Sequence, residues 1–486
     1  MSEGVDSRVA REVVNTIKFL AVDAVEKAAS GHPGLPMGAA DAAFVLWGRF
    51  LRHDPLAPLW PDRDRFVLSA GHGCMLHYAL LHLSGYDLPM SQLQAFRQWG
   101  SRTPGHPEFG HTVGVEATTG PLGQGVGNGV GMALSAKMMA ARFNTDDFRP
   151  VTHRVFVLAS DGDMMEGVSG EACSLAGHLR LGNLIVLYDD NHITIEGETR
   201  LAFSEDVGKR YEAYGWHVQR VDGHDHGAVG QAIQAAIDET ERPSIVVCRT
   251  HIAHGAPHKQ DSADAHGAPL GADEVRATKN DAGWPLEPTF RVPDTVRAYF
   301  KARAEEGAAL RTAWEERFEG WRARNPDLAA QWDAVWNRTV PKDITRKLLD
   351  AAPTHDDATR SHGAAVLQKA AALVPALVGG SADLAPSRRR RSRGPLRSRP
   401  ASSAAATCTS GSASTRWARS STASCTTEAF ARTARRSWCS PTTCGPRFDS
   451  RRSRDCPRSM SSRTIRSSWA RTVRPTSPSS TPSHCA

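Results

Sequence analysis

Cysteine is scarce through most of this 486-residue sequence. Only Cys74, Cys173 and Cys248 precede residue 388, and their spacing forms no pair. A disulfide framework is therefore excluded there, and a reducing, cytoplasmic setting is expected. No apolar run is long enough to span a bilayer, so no membrane partner is expected. The opening MSEGVDSRVAREVV lacks the apolar core of a signal peptide. No tandem repeat is present. Lysine is missing altogether from 388–486, and acids nearly so: Glu428, Asp449 and Asp455 stand against 21 Arg and 23 Ser. That segment carries about +18, which leaves 38 basic and 49 acidic residues in 1–387, a net of −11. The overall charge of +7 thus belongs to the tail, and it does not mark the whole chain as a nucleic-acid binder.

What is present in 1–387 is a regular alternation. Val9, Val13, Ile17, Leu20 and Ala24 recur three or four apart, the face of a helix over 5–29. Ser30-Gly31-His32-Pro33-Gly34 then stops it. Short apolar runs follow: RFVLS (65–69), VFVLAS (155–160), LIVLYDD (184–190), HVQRV (217–221) and SIVVCRT (244–250). Helical patterns lie between them, including 126–143 and 228–240. Unbroken apolar strands alternating with helices predict an α/β fold, a doubly wound parallel sheet covered on both faces. Ligands of such sheets bind beyond the C-terminal strand ends, so the polar residues there are the ones to weigh. The charged, Trp-rich stretch 296–350 reads as a linker packed on the surface. A second α/β unit opens at 361–378 and breaks off at Ser387.

Asp161-Gly162-Asp163 follows the second run, and Asn191-His192-Ile193 follows the third. A carboxylate and a carboxamide at neighbouring strand ends offer oxygens to a hard cation, magnesium or calcium, with a diphosphate completing the shell. The competing reading is two ordinary turns, since Asp, Asn and Gly favour turns. An EF-hand is a poor fit, because Asp161 and Asp163 lack the remaining ligand positions. Thr119-Gly120-Pro121-Leu122-Gly123-Gln124-Gly125 leads into a helix, where free amides favour phosphate; a plain glycine turn is the alternative. Four histidines, His32, His72, His106 and His266, stand beside glycine or proline and suggest a site that handles protons and phosphate.

Taken in order, SGHPGLPMG, DRDRFVLSAGHG, GYDLP, TPGHPE, TTGPLGQG, DGDMMEG, YDDN, YEAYGWHV, DGHD, HGAPLG and GGSADLAPS resemble the transketolase family over about residues 8–387. The resemblance implies a thiamine-diphosphate-binding fold and transfer of a two-carbon ketol unit between sugar phosphates, in the pentose phosphate pathway. It implies thiamine diphosphate and Mg2+ (or Ca2+ or Mn2+) as cofactors and a homodimer as the assembly. Asp161, Asn191 and the carbonyl of Ile193 would bind the metal. His72, Gly120, Pro121, Leu122, Gly162, Asn191, His266 and Asp383 would meet the cofactor. His32, His106 and His266 would act in catalysis, and His32, His266, Arg360 and Ser387 would hold the sugar phosphate. The implied layout is a diphosphate domain over 1–335, a linker over 336–355 and the start of a pyrimidine domain over 356–387. Ser160 departs from the glycine usual before the metal aspartate, and 251–265 is unusual before His266. Related activities, dihydroxyacetone synthase or deoxyxylulose-phosphate synthase, remain open, as does an inactive cofactor-binding remnant.

The family does not turn to Arg and Ser after LAPS. Joining the last base of each codon to the first two of the next converts Cys408–Ala418 into His-Phe-Gly-Ile-Arg-Glu-His-Ala-Met-Gly with permitted codons. Thr427–Ser437 and 463–481 convert likewise into family-like sequence, in family order. Residues 388–486 therefore read as an out-of-frame tail, expected to be disordered, because one Leu, two Phe, one Ile and one Val cannot offset the entropy of ordering. A genuine Arg/Ser-rich RNA-binding tail is the competing reading. The frame reading implies that the family's pyrimidine-activating glutamate is lost and that the chain as it stands is inactive.

Overall fold

The computed structural model describes residues 5–382 and 407–410. The first helix, Ser7–Ala28, is capped by Asp6, whose carboxylate accepts from the Arg8 amide at 2.7 Å. Val13, Ile17, Leu20 and Ala24 are buried along it, the face that the periodicity gave.

The five apolar runs form strands: β1 (Arg65–Leu68), β2 (Val155–Ser160), β3 (Leu184–Asp190), β6 (His217–Asp222) and β7 (Ser244–Arg249). The pairs Ile193–Thr194 (β4) and Gly197–Glu198 (β5) make a small antiparallel hairpin. The main sheet is wholly parallel, in the order β1-β2-β3-β7-β6. Side chains alternate between its two faces. Phe66, Leu68, Phe156, Leu158, Ile185 and Leu187 pack under Ser7–Ala28, Cys74–Leu83 and His226–Asp238. Val67, Val155, Val157, Ala159, Val186 and Tyr188 pack under Gln124–Phe143 and Gly167–His178. Both faces need apolar cover, so the strands read as unbroken runs. The fold class is the one expected.

The expectation for 296–350 is corrected. The helices Asp294–Arg324 and Pro326–Trp336 bury Trp314, Phe318, Trp321, Trp332 and Val335 against Trp60, Phe143 and Phe148. Val374 and Ala376 join the same cluster. The high charge covers only the outer face, and aromatic rings three or four apart on the inner face make it a core element. Beyond the helix Thr359–Leu373, β8 (Gly379–Ala382) pairs in parallel with β9 (Thr407–Ser410). The rest of the tail, with Asp383 and Ser387, lies outside the described residues.

Candidate functional site

The segments at the C-terminal ends of β1 and β2 and the turn before the helix Gln124–Phe143 are fastened to one another. The fastener is Asp163, in the short helix Asp161–Met165 that follows β2. Its Oδ1 accepts from Ser69 Oγ and from the Gly123 amide, both at 2.7 Å. Its Oδ2 accepts from the Ser160 amide at 2.9 Å and from Ser160 Oγ. Ser69 Oγ in turn accepts from the Val126 amide at 3.1 Å. One buried carboxylate therefore ties the end of β1, the end of β2 and the start of the helix Gln124–Phe143. The sequence reading missed this role, because Asp163 looked only like a failed calcium ligand. Glycine makes the closeness possible. A Cβ on Gly71 would stand 2.6 Å from the Gly120 nitrogen, and one on Gly162 would stand 2.7 Å from Leu122 Cδ1. Gly120 itself has φ +140°, a backbone region that favours glycine. Gly71, next to His72, thus lies against Gly120, and Gly162 lies against Leu122, with Pro121 in the same turn.

Asp161 and Asn191 meet over one loop. Asp161 Oδ1 accepts from Tyr188 Oη at 2.7 Å, and Oδ2 accepts from the His192 amide at 3.0 Å. Asn191 Oδ1 accepts from the next amide, Ile193, at 2.9 Å, while its Nδ2 donates to Asp189 at 2.8 Å. The two side chains thus accept from consecutive amides of the loop after β3. His192 between them has φ +64°, an unusual value for a residue with a side chain and one that functional loops tolerate. Burial raises the Asp161 carboxyl to about 6 against the hydrogen bond from Tyr188, and Asp190 adds to the rise. Burial likewise raises Asp189 to about 7 against its bond from Thr250. Among the described residues no lysine or arginine pairs with Asp161 or Asp189. A cleft of about 320 Å³ opens beside them, lined among others by Asp161, Tyr188, Asp190, His192 and Arg220.

The four histidines form a second group. Ring centroids of His32 and His72 are 5.2 Å apart, His32 and His266 5.8 Å, and His72 and His266 5.0 Å. His106 closes on Gly120, where a Cβ would stand 3.2 Å from its ring. Among the described residues no carboxylate joins them. Burial, then His266, Arg97 and His106, pushes His32 down to about 4; burial also lowers His72, His106 and His266. At neutral pH the group is a set of uncharged imidazoles, and His266 Nδ1 is buried without a partner. Arg360 is exposed in the first turn of Thr359–Leu373, and no contact joins it to these histidines.

Another histidine group was not anticipated. Asp41 accepts from His224 Nδ1 at 3.0 Å and from His226 Nε2 at 2.8 Å, with Lys18 Nζ at 3.8 Å. His254 Nδ1 faces Lys18 Nζ at 3.2 Å. Asp41, His224 and His254 have the spacing of metal ligands. Their chemistry argues otherwise: His224 Nε2 accepts from the His251 amide at 3.2 Å, so Nδ1 carries the proton, and Lys18 already supplies the cation.

The family profile described as transketolase, thiamine diphosphate binding domain, matches residues 9–341. The chain belongs to the transketolase family. A transketolase of Halalkalibacterium halodurans is 50% identical over 375 residues, covering 77% of this chain and 56% of that protein. The chromosomal transketolase of Cupriavidus necator is 53% identical over 388 residues, covering 79% and 57%. Among solved structures, a Pichia stipitis transketolase in complex with sedoheptulose-7-phosphate superposes with a TM-score of 0.83 at 40% identity, covering 87% of this chain and 63% of that one. The chain spans little more than half the length of these curated transketolases. No helix among the described residues is long and apolar enough to cross a membrane.

Proposed function

We propose that residues 1–335 are the diphosphate-binding half of a transketolase, which transfers a two-carbon ketol unit from a ketose phosphate to an aldose phosphate. The observation that carries this is the presence of two unlike groups at the C-terminal strand ends: carboxyls of Asp161 and Asp189 that no lysine or arginine pairs among the described residues, and a set of neutral histidines without a carboxylate among those residues. Two buried carboxyls, Asp161 and Asp189, with no lysine or arginine partner among the described residues suit a divalent cation, Mg2+ or else Ca2+ or Mn2+, with Asn191 and the Ile193 carbonyl as further oxygens. The partnerless Nδ1 of His266 and the glycine-lined turn through Gly120, Pro121, Leu122 and Gly162 suit a diphosphate, with His72 alongside. Thiamine diphosphate, when bound, supplies the electron sink for cleaving and forming the ketol carbon–carbon bond.

The chain's own residues do the rest. His32, His106 and His266 stay uncharged at neutral pH, so each can donate a hydrogen bond to a sugar hydroxyl without repelling the metal, and His106 and His266 can relay a proton. His32 and His266 are half-buried, and His106 lies exposed beside Gly120. Arg360, with Asp383 and Ser387, would complete a phosphate and cofactor site from a second copy in a homodimer, because one chain does not bring Arg360 to the histidines. The boundaries 336–355 for a linker and 356–387 for a truncated pyrimidine domain belong to this proposal, as does cytoplasmic placement.

The frame reading of 388–486 completes it. Matches to curated transketolases cover 76–79% of this chain, which fits a tail foreign to the family. The test is ketol transfer from xylulose phosphate to ribose phosphate with magnesium and thiamine diphosphate. The chain as it stands is expected to show no turnover; one base added before codon 388, with the gene continued downstream, is expected to restore it. Turnover by the unrepaired chain would show that the pyrimidine domain is not needed in the way the frame reading implies. A repaired protein that binds the cofactor yet prefers formaldehyde, or pyruvate with glyceraldehyde phosphate, would point to a related synthase.

A further inference from the structure

Arg97 has no role in the site as drawn so far, yet it is built into it. Its backbone has φ +60°, fixed by donation from its amide to the Thr103 carbonyl at 3.0 Å. Its guanidinium lies over the Phe96 ring and against Gly105, where a Cβ would stand 3.0 Å from Nε. Nη1 donates to Ser30 Oγ at 2.7 Å, Nη2 faces His32 Nδ1 at 3.4 Å, and Nε is buried without a partner. Among the described residues no carboxylate pairs with it. The opposite edge of the His32 ring faces the His266 loop: Cδ2 and Nε2 stand 3.4 Å from where a Cβ on Gly267 would be.

A guanidinium has only donors. An imidazole nitrogen that faces it must therefore be the acceptor, and the ring proton must sit on the other nitrogen. We propose that Arg97 is a positioning residue which holds His32 as the Nε2–H tautomer, with its one donor aimed at the His266 loop. This rests on the reading of that loop as ligand-facing. Everything that faces His32 pushes the same way: Arg97, His72, His106 and His266 are all cations or potential cations, and no anion opposes them. His32 is thus a fixed hydrogen-bond donor at neutral pH, and its Nδ1 is not available as a base.

The test is nitrogen-15 NMR of the full chain labelled at histidine, with His32 identified by its loss in His32→Asn. The expected spectrum has His32 Nδ1 unprotonated and Nε2 protonated at pH 7. In Arg97→Met the two tautomers should mix and the His32 midpoint should rise by about half a pH unit or more, since a nearby cation is gone. Arg97→Lys, which keeps a charged donor, should recover most of the lowered midpoint. A wild-type spectrum with the proton on Nδ1 would overturn the proposal, and this outcome needs no variant to fold. So would an Arg97→Met protein whose His32 tautomer and midpoint match wild type. Neither readout requires turnover, so an inactive chain leaves the test intact and failure of ketol transfer is a separate result.

Discussion

Two histidine groups lie in this molecule, and they differ in one respect. Around Asp41, three imidazoles and a lysine are drawn to a carboxylate, and the polar atoms find partners. Around His266, four imidazoles gather with no carboxylate among the described residues, and one nitrogen is left over. The first arrangement is saturated and spends its chemistry on holding residues 224–254 against residues 18–41. The second leaves its capacity unspent, which a fold tolerates where something else is to be bound. Residue type is the same in both; the partner decides the use.

The contrast breaks most visibly at Asp41. Asp41→Ala leaves the buried Lys18 without its anion, and a loss of about 3–5 kcal/mol in unfolding free energy is expected from urea titration. A loss below about 1 kcal/mol would mean that the group is not structural.

Acid should sharpen the comparison. His32 has a folded pKa near 4, below its unfolded value of about 6.5. Between those values the unfolded chain binds more protons, so stability falls as pH drops through that window, by up to about 1.4 kcal/mol per pH unit for each such histidine. Asp41 is held well below the usual carboxylate range by its histidine partners, although burial opposes them. Its contribution is present above about pH 4 and is lost only below it. Urea midpoints at pH 7, 5 and 4 should therefore decline less steeply in His32→Asn than in wild type. Equal slopes would show that His32 is not kept neutral by the fold.

A smaller stability effect is expected at the unsaturated group. His266→Ala removes an imidazole nitrogen that bonds to nothing, so unfolding free energy should change by about 1 kcal/mol or less. Affinity for magnesium pyrophosphate, measured calorimetrically, should nevertheless fall about tenfold or more. The reverse pattern would make His266 a packing residue. Smallest of all is His254→Gln, on the partly exposed rim beside Lys18, where about 0.5 kcal/mol is expected because a polar partner for Lys18 remains.

Much of this was legible in the chain. All five sheet strands and the helices Ser7–Ala28, Gln124–Phe143 and His226–Asp238 lie where the apolar runs and periodicities put them, because a sheet buried on both faces writes itself as unbroken apolar stretches. The loops carrying His72, Gly120 and Gly162 could be named as neighbours only through resemblance. Asp163 was misjudged because a buried carboxylate that binds three loops looks, in sequence, like any aspartate in a turn. The Trp-rich stretch was misplaced because composition averages over a helix, whereas burial is decided by one face of it.

The sequence by itself determined the α/β architecture, the change of chemistry at Arg388 and the residue types available at each strand end, since these follow from local pattern and composition. The tertiary structure alone decided which histidines have a carboxylate and which do not. Asp41 and His226 are 185 positions apart, as far in sequence as unrelated residues, and meet only because the helix after β6 packs against the segment that follows the first helix. A side chain's chemistry is fixed by its neighbours in space, and no local pattern encodes a neighbour that distant.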